Sequence, residues 1–235
     1  MAYQQPVDFR SKPPQPYKKV ITPSSLYKAN CPRCTWMSYW HGFGIPVNLK
    51  LQQQMSRLQE ESYDGVPNRV ISPDLPEGFA KLYKGAFASK AIMVNGEKTR
   101  WKLYGELDLL SENKDGTFSV IDGKVSMKKE ADDLAEGYWK QLEAYVFMLE
   151  NPEVGEPKQV ATIGLLQWRI DGAAGSNEPR RGFTVEDRYI PVARNPEGFR
   201  QFIESFIEII EGAFPASGNN CYDCKFLKQI DFYKD

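Results

Sequence analysis

The chain has 235 residues, 41% hydrophobic and 13% aromatic, which is enough to bury one sizeable core. Thirty basic residues against thirty-one acidic ones leave a formal net charge of -1, excluding the global positive excess of a histone-like binder. No run of about 18 apolar residues reads as a membrane span and no apolar signal-peptide core opens the chain, so a cytoplasmic protein without membrane attachment is expected.

Residues 1–20, MAYQQPVDFRSKPPQPYKKV, are rich in proline and polar groups and predict an extended or disordered arm, leaving 21–235 as a single folded domain. TPSSLYKANCPRC then opens on a helix-entry signal, Thr22 or Ser24 with Pro23 between, and predicts a helix running into Cys31. A second helix is expected over 48–62, with Leu49, Leu51, Met55 and Leu58 on its apolar face. After a loop rich in proline and glycine, strands are expected at roughly 86–94, 101–110 and 117–126. SENKDG joins the last two as a hairpin, with Asp115-Gly116 as its turn. A long helix over 132–150 carries Leu134, Tyr138, Leu142, Tyr145 and Leu149 at helical spacing. Strands at 160–170 and 182–192 and a helix over 196–214 complete the order α, α, β, β, β, α, β, β, α. This describes an α/β domain with a mixed central sheet flanked by helices, and fits neither a doubly wound nucleotide fold nor a barrel.

All four cysteines fall into two C-x-x-C pairs, CPRC at Cys31 and Cys34 and CYDC at Cys221 and Cys224. In a cytosolic chain that spacing points to a metal or cluster site first, to redox chemistry second and to disulfides last. The second pair lies near the end of the chain and could close back on the first.

Two strands carry unusual charge. YGELDLL places Glu106 and Asp108 on one face with Leu107 and Leu109 on the other, and FSVIDGKVS places Asp122 and Lys124 on one face. Burying such groups is costly unless they meet partners or a metal ion. If the two polar faces coincide, carboxylates and a lysine form a site for magnesium or manganese, with a cation beside it to orient a water and stabilise developing negative charge. A cross-strand salt bridge on a solvent-facing sheet fits the same charges.

The order G-x-x-D, hairpin, D-x-K at Gly105, Asp108, Asp122 and Lys124 resembles the signature of the PD-(D/E)xK nuclease superfamily. Gln141 and Tyr145 in YWKQLEAYVFML resemble the additional Q-x-x-x-Y motif of its RecB-like branch. Ser24, Ser25, Cys31 and Pro32 are similar to the N-terminal segment of the iron-sulfur nucleases of that branch, including the CRISPR-associated exonucleases. The likeness spans residues 21–228 and implies a restriction-endonuclease-like core. It implies that Asp108, Asp122 and the Gly123 carbonyl hold Mg or Mn, that Lys124 is the catalytic lysine, and that Gln141 and Tyr145 position the DNA strand. It also implies a 4Fe-4S cluster on Cys31, Cys34, Cys221 and Cys224 that clasps the two ends of the domain. The expected activity is hydrolysis of DNA phosphodiester bonds, as an exonuclease on single-stranded ends. The competing expectation is a DNA-binding or assembly subunit that keeps the fold with little catalysis.

The chain departs from that pattern in two places. Its cysteines divide two and two, where the commonest arrangement takes one from the front and three from the back, and two C-x-x-C pairs also suit tetrahedral zinc. The branch usually draws a further metal ligand, a histidine or an acid, from a helix before the strands. NLKLQQQMSRLQEESY offers glutamines, with Glu60 and Glu61 at its end, and the lone histidine, His41, sits in an aromatic stretch, so this ligand is unassigned. RIDGAAGSNEPRRG lacks a phosphate-loop lysine and reads as a mobile hairpin loop. Its Arg180 and Arg181, with Lys128, Lys129 and Lys140, are candidates for phosphate contacts. Trp36, Tyr39 and Trp40 either stack on unpaired bases or belong to the core.

Overall fold

A computed structural model describes residues 9–27, 29–44, 50–127, 130–174 and 182–229. Helices α1 (Pro23–Tyr27), α2 (Pro32–His41), α3 (Lys50–Ser62) and α4 (Asn68–Ile71) precede strands β1 (Gly78–Leu82), β2 (Ala86–Ala88), β3 (Met93–Val94) and β4 (Glu97–Lys98). Next come β5 (Tyr104–Glu106), β6 (Leu109–Asn113), β7 (Phe118–Ser126) and α5 (Ala131–Glu150). The chain continues through β8 (Val160–Ala174), β9 (Gly182–Val192), α6 (Pro196–Glu211) and α7 (Tyr222–Gln229).

The central sheet has the order β1-β6-β7-β8-β9. The β7–β8 pair is parallel and its other neighbours are antiparallel, so the sheet is mixed. Parallel neighbours need a crossover, and α5 supplies it. Its apolar face, with Leu134, Leu142, Val146 and Leu149, packs in one core with Val120, Ile163 and Leu165 of the sheet and Phe199, Ile203, Phe206 and Ile210 of α6. A smaller cluster of Leu75, Leu109, Ile121 and Leu166 covers the opposite face, with Tyr63 and Ile71 against it. Val120 and Ile121 therefore point into different layers, and β7 is buried on both sides as a central strand should be.

The hairpin between β6 and β7 forms as its turn residues require. Gly116 takes φ +84°, its N–H donates to the Asn113 carbonyl at 3.0 Å, and the Asp115 carboxylate accepts from the Thr117 N–H at 2.9 Å.

Four expectations need correction. The helix expected to run into Cys31 stops at Tyr27, and CPRC opens α2 instead: Cys31 is extended (φ -135°, ψ 117°), as a residue before proline prefers, and Pro32 occupies the first turn. The strand expected at 86–94 is two fragments, which pair in separate two-stranded ribbons, β2 with β5 and β3 with β4. The strand expected at 101–110 breaks at Leu107 and Asp108. Leu107 joins the larger core and Leu109 the smaller one, which strict alternation would forbid. Finally, β1 forms within the segment read as loop, where five residues pair with β6 at the sheet edge.

Residues 9–20 hold no helix or strand and lie along α2. The Lys18 N–H donates to the Tyr39 carbonyl at 3.0 Å, and Lys12 Nζ sits 4.7 Å over the Trp40 ring.

Candidate functional site

Strands β6 and β7 pair from Glu112↔Phe118 to Leu109↔Ile121, and there the pairing ends as β5 turns away to join β2. The next N–H on that edge of β7, at Gly123, has lost its partner strand, and Asp108 Oδ2 accepts it at 2.8 Å. Asp108 is thereby fixed beside Asp122. Any side chain at position 123 would meet Gln59 Oε1 at 2.8 Å and Asp108 Oδ2 at 3.5 Å, so glycine there lets both oxygens approach the strand.

Asp122 is 1% exposed. Its Oδ1 accepts a hydrogen bond from Gln141 Nε2 at 3.0 Å, and its Oδ2 forms an ion pair with Lys124 Nζ. Gln141 Nε2 also donates to the Tyr145 hydroxyl at 2.9 Å, and both residues are buried beneath the carboxylate. Lys124 Nζ lies 3.2 Å from the Gly123 carbonyl and 4.7 Å over the Tyr138 ring, which stacks on Tyr27 of α1 at 4.2 Å. On the other side of β7, Gln59 from α3 is fully buried. Its Nε2 donates to the Leu166 carbonyl at 2.7 Å, while its Oε1, aimed at Gly123, has no hydrogen-bond donor.

The charges are unevenly matched. Burial and repulsion from Asp122 push the Asp108 carboxyl up from its ordinary 3.8 to about 8. Burial likewise raises Glu60, with Asp122 adding to it. For Lys124, burial by itself would lower the amine, but Asp122 and Asp108 outweigh it and hold it above its ordinary value as a firm ammonium. Asp122 is buried and Asp108 half-buried beside one ammonium, and with the Gln59 oxygen, which reaches Gly123 from the other face of the strand, they are hard-oxygen groups of the kind that could hold a divalent ion.

Other candidates fall elsewhere. Glu106 is exposed on β5, and Glu61 forms an outward pair with Arg57 at 2.9 Å. Gly105 packs under Pro23 of α1, where a Cβ would come within 2.9 Å. His41 Nε2 is 3.0 Å from the Ser11 carbonyl, with its ring against Phe9 and Trp36. Trp36, Tyr39 and Trp40 are buried, which removes them as a stacking platform for bases; the Trp36 indole N–H donates to the Gly212 carbonyl at 3.1 Å. Lys140 lies over the Phe202 ring at 4.3 Å. Lys128, Lys129, Arg180 and Arg181 lie outside the described residues. Sequence reasoning missed Gln59, Tyr27 and Tyr138. Only Tyr138 carried a signal, since it shares the helix face of Gln141 and Tyr145 at i+3 and i+7.

The cysteine pairs meet at the far ends of the chain. Sγ–Sγ separations are 3.7 Å for Cys31–Cys224, 3.6 Å for Cys34–Cys221 and 3.5 Å for Cys34–Cys224, and none of the four is in a disulfide. Burial pushes the Cys34 thiol up, with its sulfur neighbours adding to it. Burial acts the same way on Cys31, but N–H groups of Cys34 and Gly218 directed at its sulfur prevail and hold it below its ordinary value. This group could hold a metal ion or a cluster. Among the described residues no strand leads into Cys31 as a thioredoxin-like redox motif would require.

The model of the PD-(D/E)XK nuclease superfamily matches residues 48–229, a segment that includes the broken strand, the D-x-K strand and the crossover helix. The chain belongs to this superfamily. The mixed sheet flanked by helices is its PD-(D/E)XK fold, a nuclease-type fold that implies nucleic-acid binding, and PD-(D/E)XK nucleases usually use divalent metals. The crystal structure of SSO0001 is similar in fold, with a TM-score of 0.51 and 16% sequence identity over 91% of this chain and 85% of that one. Curated proteins give no match. Among the described residues of this PD-(D/E)XK protein, no helix is long and apolar enough to cross a membrane.

Proposed function

We propose that the protein is a Mg- or Mn-dependent deoxyribonuclease acting as an exonuclease on single-stranded DNA ends, with one nuclease domain over 21–235 behind an N-terminal arm over 1–20. The observation that carries the reading is the buried Asp122, held by Gln141 on one oxygen and by Lys124 on the other, with Asp108 secured beside it by the Gly123 N–H. Asp108, Asp122 and the Gly123 carbonyl would hold the ion, with Gln59 Oε1 as a further oxygen. When bound, a divalent ion polarises the scissile phosphate and lowers the pKa of its water.

The protein's own groups do the rest. Lys124, kept protonated by two carboxylates, is unsuited to be a base; it supplies fixed positive charge for the attacking water and for the charge that develops on phosphorus. Gln141 locks the rotamer of Asp122, and Tyr145 locks Gln141, so the site is organised before substrate arrives. The preference for DNA, single strands and chain ends rests on resemblance to the RecB-like branch. A cytoplasmic setting suits four cysteines outside any disulfide.

A nuclease-fold DNA-binding or assembly subunit is the second reading. It is favoured by Gln59, the α3 side chain that reaches Gly123, since an amide contributes no charge to hold the ion; Glu60 of the same helix, within electrostatic reach of Asp122, speaks against it. Incubating end-labelled single- and double-stranded DNA with the protein and Mn or Mg decides between them. Nucleotide release that disappears in Asp122→Ala supports the enzyme; DNA retention without cleavage under either ion supports the subunit.

A further inference from the structure

The two C-x-x-C pairs form a pseudo-symmetric cup. Cys31 caps α2 with Cys34 in its first turn, and Cys221 stands immediately before α7 with Cys224 in its first turn. Both helix N-termini therefore face the same four sulfurs, and the Gly218 N–H adds a hydrogen bond to Cys31 Sγ at 3.2 Å. Four thiolates around a divalent ion carry net negative charge, which these N–H groups and helix ends offset. Cys31 and Cys224 are buried while Cys34 and Cys221 are half-buried, so the cup is compact and sits with one side toward the surface.

Its size separates the two occupants that the sequence allows. Four thiolates on one zinc ion at about 2.3 Å span tetrahedron edges of about 3.8 Å. Three Sγ pairs are 3.5, 3.6 and 3.7 Å apart, and no pair exceeds 4.8 Å. A 4Fe-4S cluster instead gives every cysteine a different iron and puts the iron-sulfide body between them, so its sulfur tetrahedron must be larger by the dimensions of that body.

The surrounding structure resists dilation to that size. Arg33 Nε donates to the Pro215 carbonyl at 3.0 Å and its guanidinium lies 5.0 Å over the Phe214 ring, which itself meets Trp36 edge-on at 5.3 Å. Gly218 approaches so closely that a Cβ there would lie 3.3 Å from both the Asn30 carbonyl and Cys31 Cα. The segment leading to Cys221 is thus already seated on α2, and moving the sulfurs apart would unseat it.

We infer that Cys31, Cys34, Cys221 and Cys224 hold one zinc ion in a closed tetrahedral site that staples α2 to α7, in place of the 4Fe-4S cluster that resemblance implies. With all four positions filled by protein, the ion has no open coordination site, and its role is to hold the ends of the chain together.

The test is metal analysis of the full-length protein purified without oxygen, a readout independent of nuclease activity. The expected preparation is colourless, holds about one zinc per chain, and after cobalt exchange shows the visible bands of a tetrahedral thiolate site. Chelation should lower its melting temperature, and Cys224→Ser should reduce bound zinc several-fold. Because that variant could unfold, a zinc titration of the chelated wild type serves as the second measurement, with saturation at one equivalent expected. A brown protein with iron and acid-labile sulfide in equal amounts overturns the inference. So does wild type that takes up no zinc, or a Cys224→Ser variant that keeps it all.

Discussion

Gln141 Nε2 donates to Asp122 Oδ1 at 3.0 Å, so the glutamine of the crossover helix is a direct partner of the buried carboxylate nineteen residues before it. Partners that orient a metal ligand typically change metal affinity by about 10–100-fold when lost. Gln141→Leu should weaken manganese binding by that order in calorimetry, because Asp122 loses the hydrogen bond on Oδ1 that fixes its rotamer and keeps only the ion pair with Lys124. Unchanged manganese affinity would mean that Asp122 is held without the glutamine, and that Gln141 serves another purpose.

Lys124 has a different expected profile. Its ammonium is fixed by Asp122 and by the Tyr138 ring, but it is not itself a metal ligand. Lys124→Ala should bind manganese at least as well as wild type, while single-turnover cleavage falls by about 10²-fold or more, as on removal of one transition-state stabiliser. Equal single-turnover rates would sink its catalytic assignment.

The Asp108 carboxyl gives a pH signature in metal-free protein. Its folded pKa, about 8, stands above the ordinary 3.8, so the folded state holds the proton more tightly than the unfolded chain does. That contribution to stability is fully present below about pH 4 and is lost as pH rises toward 8. The metal-free melting temperature should therefore carry a downward component across this window, which Asp108→Asn removes. Since the same proton must leave before the carboxylate can bind an ion, manganese affinity should rise over the same range. An identical pH-stability curve for Asp108→Asn would contradict the shift.

Gln59 places an acceptor without a donor against Gly123, an arrangement that is costly unless something electropositive comes to it. Gln59→Leu should weaken manganese binding by about 10-fold, an order typical of groups supporting a metal site. Melting with and without manganese separates the two roles: loss of ligation reduces the stabilisation that the metal confers, whereas a packing defect lowers both melting temperatures equally.

Local periodicity was enough to place several of these groups. A strand turns successive side chains to opposite faces, so Asp122 and Lys124 had to share one. A helix brings i and i+4 together, so Gln141 and Tyr145 had to adjoin. The hairpin at Asp115-Gly116 and the long crossover helix were equally legible, because turn chemistry and a single apolar stripe specify them within a short window. The position of Asp108 was not legible in this way. It depends on β5 leaving the sheet to pair with β2, a competition among backbone hydrogen bonds between segments distant in the chain, and the continuous strand read from YGELDLL breaks there. Gln59 was hidden for a related reason: one glutamine among several on a polar helix acquires a role only when α3 is laid across Gly123 and Leu166. The cysteines divided between the two levels. Their spacing marked a thiolate site, but whether sulfurs 187 to 193 residues apart meet, and how large a space they enclose, was decided by the packing of α2 against α7, because no local rule carries a distance between the two ends of a chain.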